Sequence, residues 1–243
     1  MFSNGRRACF AHLPSYAQVT CELRSTKPEG LNFLNEEEAK EAIANAELVV
    51  VSSFMNEPPE AALSSGIYDQ SDVEDAAGPL TEVAIARHTG DLFRLPSRLS
   101  TVSSICRNFD LNLYRYYCLP GNPSPGRLVN VLTPISEVVA TDDTPRLYWG
   151  VIKNSFVAGE HPKPSHLRMT ELRCNGAVKD FYLKDIDANQ TLKGISDSSV
   201  GRIVLFWGRI TESGIGLCVA RPGWGEYALL PQKYNELLLD REI

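Results

Sequence analysis

No apolar run in the chain approaches the roughly 20 residues that a membrane-spanning helix needs. The best of them, Leu48 to Val51 and Ile203 to Trp207, have only the length of a strand. A soluble protein with no membrane partner is expected. Arg6 and Arg7 start like a signal peptide, but His12, Pro14 and Ser15 interrupt the apolar region that would have to follow, so secretion by that route is not expected. Positive charge is in deficit, with 24 Lys and Arg against 30 Asp and Glu and a net charge of −6. Without a broad basic surface, non-specific nucleic-acid binding is excluded as a role.

The six cysteines are scattered with no CxxC pair. A chain of this size needs no disulfide staples, which predicts reduced thiols in a cytosol-like compartment. Histidine is rare: of four, only His161 and His166 lie close together, two prolines separate them, and no third ligand is nearby, so no metal site is expected. Phosphate-cradling glycine loops, the dinucleotide fingerprint, the zinc-protease signature and the nucleophile elbow are all missing. No cysteine has an arginine six positions later, which removes the loop geometry of a thiol phosphatase.

What the chain does have is ordinary globular composition, 43% hydrophobic and 22% charged, and an alternation of short helical and strand patterns. Residues 35–46 read as a helix with Ala39, Ala42, Ile43 and Ala46 at helical spacing, and 47–54 as a buried strand. A strand is expected over 79–87, a helix over 95–108, and strands over 112–118 and 147–157. Three more strands are expected within 167–183 and 201–220, the last two joined at Glu212-Ser213-Gly214 as a hairpin. Pro231 opens a final helix. The fold class read from this pattern is α+β. Residues 1–160 form the core, and 161–243 a β-rich C-terminal extension packed in the same domain.

Two tetrapeptides echo each other, Leu147-Tyr148-Trp149-Gly150 and Leu205-Phe206-Trp207-Gly208, as two strands obeying one packing rule would. Asp142 and Asp143 before Thr144-Pro145 read as turn residues, and Cys218 near Arg221 as an apolar strand thiol beside a solvated charge. Tyr114, Tyr116, Tyr117, Tyr148, Trp149, Phe206 and Trp207 crowd strand positions. Alternation then turns one of Tyr116 and Tyr117 away from the core, where it can wall a pocket.

From Glu47 to Ile152 the order of features resembles the RolB/RolC family, the plast proteins encoded on Agrobacterium transferred DNA. The residues that carry the resemblance are Glu47-Leu48-Val49, Glu82 to Arg87, Ser97-Arg98-Leu99 with Val102 and Cys106, Tyr116-Tyr117 with Pro120, Val131 with Pro134, Val138-Val139, Thr141-Asp142 and Trp149-Gly150. The resemblance implies a fold like that of the ADP-ribosyltransferase toxins, a single compact α+β domain of two small sheets flanked by helices. It also implies an effector working inside a transformed plant cell, in cytoplasm or nucleus, that alters growth, hormone response or metabolite handling. Its partners would be host plant proteins or a small aromatic metabolite. Tyr116 and Trp149 match family aromatics. Ser52 stands where the family can place a tyrosine, and Arg87 where it has a threonine. The alternative is an NAD-dependent ADP-ribosyltransferase-like enzyme modifying a host protein, with Arg87 on a phosphate, Ser52 on the ribose, Tyr116 or Trp149 on the nicotinamide and Glu160 as a weak candidate carboxylate.

Overall fold

Asn35 caps the first helix, its side-chain oxygen accepting from the Glu38 amide at 2.9 Å, and this cap starts α1 (Glu36–Ala44) one residue after the expected boundary. The unbroken apolar run that follows becomes β1 (Leu48–Phe54), buried on both faces as a parallel strand requires. The computed structural model describes residue 33 and residues 35–58, 80–83, 93–122, 125–159, 161–174, 176–214 and 216–239.

After β1 come β2 (Leu80–Val83), β3 (Phe93–Pro96), β4 (Arg98–Ser100), α2 (Val102–Cys106), α3 (Phe109–Asn112) and β5 (Tyr116–Cys118). The helix expected over 95–108 is therefore shortened at its front. Leu95 and Pro96 pair with β2, Arg98 to Ser100 pair in parallel with β1, and the helix begins only where Thr101 accepts from the Ser104 amide at 3.1 Å. Long-range pairing outweighs the local helical pattern there. The strand expected over 112–118 is likewise trimmed, because Phe109–Asn112 close a helical turn first.

The next elements are β6 (Gly126–Arg127), α4 (Leu128–Val131), β7 (Leu132–Pro134) and β8 (Asp142–Val157), a 16-residue strand that starts five residues before the expected one. Its early start absorbs the Asp142-Asp143 pair expected as a turn. Then follow β9 (Leu167–Leu172), β10 (Phe181–Ile186), α5 (Asp187–Leu192), β11 (Ile203–Ser213), β12 (Gly216–Ala220), β13 (Tyr227–Leu229) and α6 (Glu236–Leu239). The 11–12 hairpin sits at the expected turn, whereas α5 was not expected and the final helix is shorter than Pro231 suggested.

One sheet has the order β4-β1-β5-β6, with β1 parallel to both neighbours. The larger one runs β13-β11-β12-β10-β9-β8-β7, and an added β11–β8 pairing closes β8, β9, β10, β12 and β11 into a five-stranded ring. The boundary expected at residue 160 falls in the β8–β9 connection of that one ring. The closing pair explains the echoed tetrapeptides, since Leu205 stands opposite Trp149, Phe206 opposite Tyr148 and Trp207 opposite Leu147. A Cβ on Gly208 would meet Val219 at 2.8 Å, and one on Gly150 would meet Leu172 at 3.1 Å, so both positions admit only glycine or a shifted neighbour.

Period-two alternation divides these strands between two cores. Leu147, Trp149, Val151, Ile203, Leu205 and Trp207 face Val49, Val51, Tyr117 and the α2–α3 turns. Tyr148, Ile152, Val204, Phe206 and Ile210 fill the ring with Phe181 and Leu183. A third cluster joins Leu48, Val50 and Cys118 to Ala39 and Ala42 of α1. A polar plug accompanies the ring: buried Arg168 donates to Asp187 at 2.7 Å, Asp197 at 2.5 Å and Ser155 at 3.0 Å, while Gln190 accepts from Thr170 at 2.6 Å. No helix among the described residues is long and apolar enough to cross a membrane.

Candidate functional site

The carboxyl ends of parallel strands are where open α/β sheets leave crevices, because the chain departs in opposite directions from neighbouring strands. At that end of β1 and β5, Phe54 meets Trp207 of β11, with ring centroids 5.4 Å apart and planes tilted by 43°. Trp207 is 6% exposed. That small remnant faces a groove of about 660 Å³, walled by the turn after β5 (Leu119 to Asn122), by Asn130 and Val131 of α4, and by Asp143 to Leu147 at the start of β8. Its wall is mixed, with Pro120, Pro145 and Leu147 supplying apolar surface and Asn122, Asn130, Thr133 and Thr144 supplying polar atoms.

The β8 wall is stiffened by its own side chains. Asp142 accepts from the Thr144 amide at 2.9 Å and pairs with Arg146 at 2.9 Å. The Tyr148 hydroxyl donates to the same carboxylate at 3.4 Å, and burial together with this negative neighbour pushes the phenol up to about 12. It stays protonated throughout the physiological range.

A second groove of about 480 Å³ adjoins the first and shares Pro145 and Trp207 with it. Arg209 and Arg221 line it, together with Glu226, whose carboxylate accepts from the Gly223 amide at 2.6 Å. Arg221 has φ +51, a left-handed backbone that costs a non-glycine residue on the order of 1 kcal/mol. Its amide donates to the Lys184 carbonyl at 2.7 Å, which fixes the backbone from which the guanidinium extends.

A buried amine lies outside the grooves. Lys193 is 4% exposed, its Nζ 3.3 Å from the centroid of Trp224 and 5.8 Å from that of Tyr227. That nitrogen has no hydrogen-bond partner among the described residues. Burial pulls its pKa down to about 7, against the opposing influence of Cys106 and Asp185.

Two of the expected cleft residues, Tyr116 and Trp149, lie in different clusters. Trp149 is 2% exposed and belongs to the core between the two sheets, because odd positions of β8 point there. Tyr116 is half-buried against the α1-side cluster instead, its hydroxyl accepting from Arg127 at 3.3 Å with that guanidinium 5.3 Å above the ring. The two therefore do not build a common wall, and it is Tyr117 that joins the core containing Trp149. Ser52 is half-buried on β1. Arg87 and Glu160 lie outside the described residues. Cys218 is a buried strand thiol. Among the described residues no group of three His, Cys, Asp or Glu could hold a metal ion.

Trp207, Arg146, Arg209 and Lys193 were not picked out as site residues by sequence reasoning. The echoed Trp-Gly pair was the available signal for Trp207, because a glycine thins the strand beside a bulky ring. Comparison with known protein families and with curated proteins finds no match for the chain.

Proposed function

We propose that the protein is a binding module, not an enzyme, and that it holds a small planar ligand in the groove floored by Trp207. The observation that carries the reading is the conjunction of the Trp207 indole, apolar Pro120, Pro145 and Leu147, and several polar side chains around about 660 Å³. Ligand sites have this make-up: mostly apolar walls give affinity and a few polar groups fix orientation. Edge and offset contacts of a ligand ring with Trp207 contribute about 0.5 to 1.5 kcal/mol beyond area burial. The role that fits such a module is the one implied by the RolB/RolC resemblance, an effector inside a plant cell acting on hormone response or metabolite handling. The mixed α+β arrangement is compatible with the toxin-like fold that this resemblance implies. What favours binding over NAD-dependent transfer is that Trp149 packs in the core between the sheets and Tyr116 against the α1-side cluster, so that among the described residues neither lines the groove over Trp207.

The test is a thermal-shift panel of indole, indole acids, adenosine, riboflavin, NAD and ADP-ribose against wild type and Asn130→Trp. Asn130 is exposed on the groove wall, so the new indole fills the groove without touching the core. A ligand that binds only the folded state raises its melting temperature by mass action. The expected outcome is a shift with at least one ring compound that disappears in Asn130→Trp, while the unliganded melting temperature is unchanged. No shift with any ring compound, or a shift that survives the substitution, would overturn the reading.

A further inference from the structure

The second groove carries positive charge that is not paired among the described residues. Arg209 and Arg221 are exposed, line the same cavity, and have no ion-pair partner among the described residues. Glu226 also lines the groove; its Oε2 accepts from the Gly223 amide, and it forms no ion pair with either arginine, so the lining carries two positive charges against one negative. In a chain of net charge −6, two unshared guanidinium groups beside one buried indole form a local exception. Arg221 keeps a left-handed backbone that glycine would adopt without strain. Pro145 and Trp207 line both cavities, which places the two side by side against the same indole.

We infer that the second groove is an anion subsite in which Arg209 and Arg221 take the phosphate of a ligand whose ring lies over Trp207. Guanidinium forks match phosphate oxygens two at a time, and a phosphate dianion offers enough oxygens for both arginines. The ligand class is thus a phosphorylated, ring-bearing small molecule. This rests on the groove over Trp207 being a ligand site, and it adds the chemistry that selects among ring compounds.

The test is calorimetric titration of wild type with two matched pairs, adenosine against AMP and riboflavin against FMN, near neutral pH at low and high salt. The phosphate member of at least one pair should bind about tenfold more tightly than its parent, with the advantage shrinking as salt screens the exposed guanidinium groups. In the double variant Arg209→Ala and Arg221→Gly, the two members of that pair should bind equally, at the affinity of the uncharged parent in wild type. Glycine suits the φ of residue 221, so Arg221→Gly alone should leave the melting temperature unchanged or raise it, separating lost binding from lost fold. Equal affinities within both pairs in wild type, or a phosphate advantage that survives the double variant, would overturn the subsite while leaving ring binding standing. Binding of none of the four would overturn the subsite, and the groove reading would fall with it only if indole and the indole acids also gave no shift.

Discussion

Lys193 places an amine among Trp224, Tyr227, Cys106 and Asp185, and the two ring faces offset only part of what burial costs its charge. Its folded pKa of about 7 lies below the 10.5 of a free lysine, so the folded state binds fewer protons than the unfolded chain between those values. Below about pH 7 both states are charged and the full penalty is felt. Above it the penalty is relieved, and stability rises toward a slope of about 1.4 kcal/mol per pH unit. Buried Cys106 and Cys118 oppose this once unfolded thiols ionise above about pH 8.5, since burial holds both protonated in the fold and pushes Cys118 up to about 12. Urea unfolding of wild type should therefore show stability climbing between about pH 7 and 8.5, and Lys193→Met should be flat over that interval. A wild-type curve that is flat or falls there would contradict the burial account of Lys193.

At the scale of elements, the β8–β11 pair carries the architecture. Its two glycines sit at ring-facing positions, and the alternating neighbours fill two cores at once. Gly208→Ala forces a Cβ to 2.8 Å from Val219, and the overpacking should cost about 1 to 3 kcal/mol in denaturant unfolding. An unchanged midpoint would mean that Val219 can step aside. Thr101→Ala removes the cap of α2 and should cost about 1 kcal/mol, a smaller loss because α2 is also held by Val102, Ile105 and Cys106 in the core. Elements with a strong local signature were legible in the sequence: β1 from its apolar run, α1 from Asn35 and its alanines, the 11–12 hairpin from Glu212-Ser213-Gly214. Elements decided by distant partners were not. Arg98 to Ser100 look helical by spacing but are drawn into pairing with β1, and α5 carries only Gln190 as a buried residue, so its apolar stripe is absent.

For the molecule as a whole, the ring of β8 to β12 and the small parallel sheet meet around one shared core, and the grooves open where their strand ends come together. The aromatic density of the sequence points to Tyr116 and Trp149 as a pocket wall, whereas the aromatic residue lining the groove is Trp207. Which indole it is depends on closure of the ring: β8 buries Trp149 between the sheets, whereas Trp207, midway along β11 beside Gly208 and Arg209, keeps a small exposed remnant that lines the grooves. No local pattern distinguishes those two tryptophans, because both precede a glycine and follow an aromatic residue. The arginines of the second groove were hidden for the same reason. Arg209 and Arg221 are twelve residues apart and become neighbours only through the β11–β12 hairpin.

The chain has three tryptophans, Trp149, Trp207 and Trp224, and only Trp207 lines the grooves. The indole N–H signals in a proton–nitrogen correlation spectrum, assigned by substituting each tryptophan with phenylalanine in turn, therefore report on the central claim directly. Adding a ring compound that raises the melting temperature should move the Trp207 signal and leave those of Trp149 and Trp224 in place. A Trp207 signal that stays fixed at saturating ligand, with or without movement of the other two, would contradict a ligand site on Trp207.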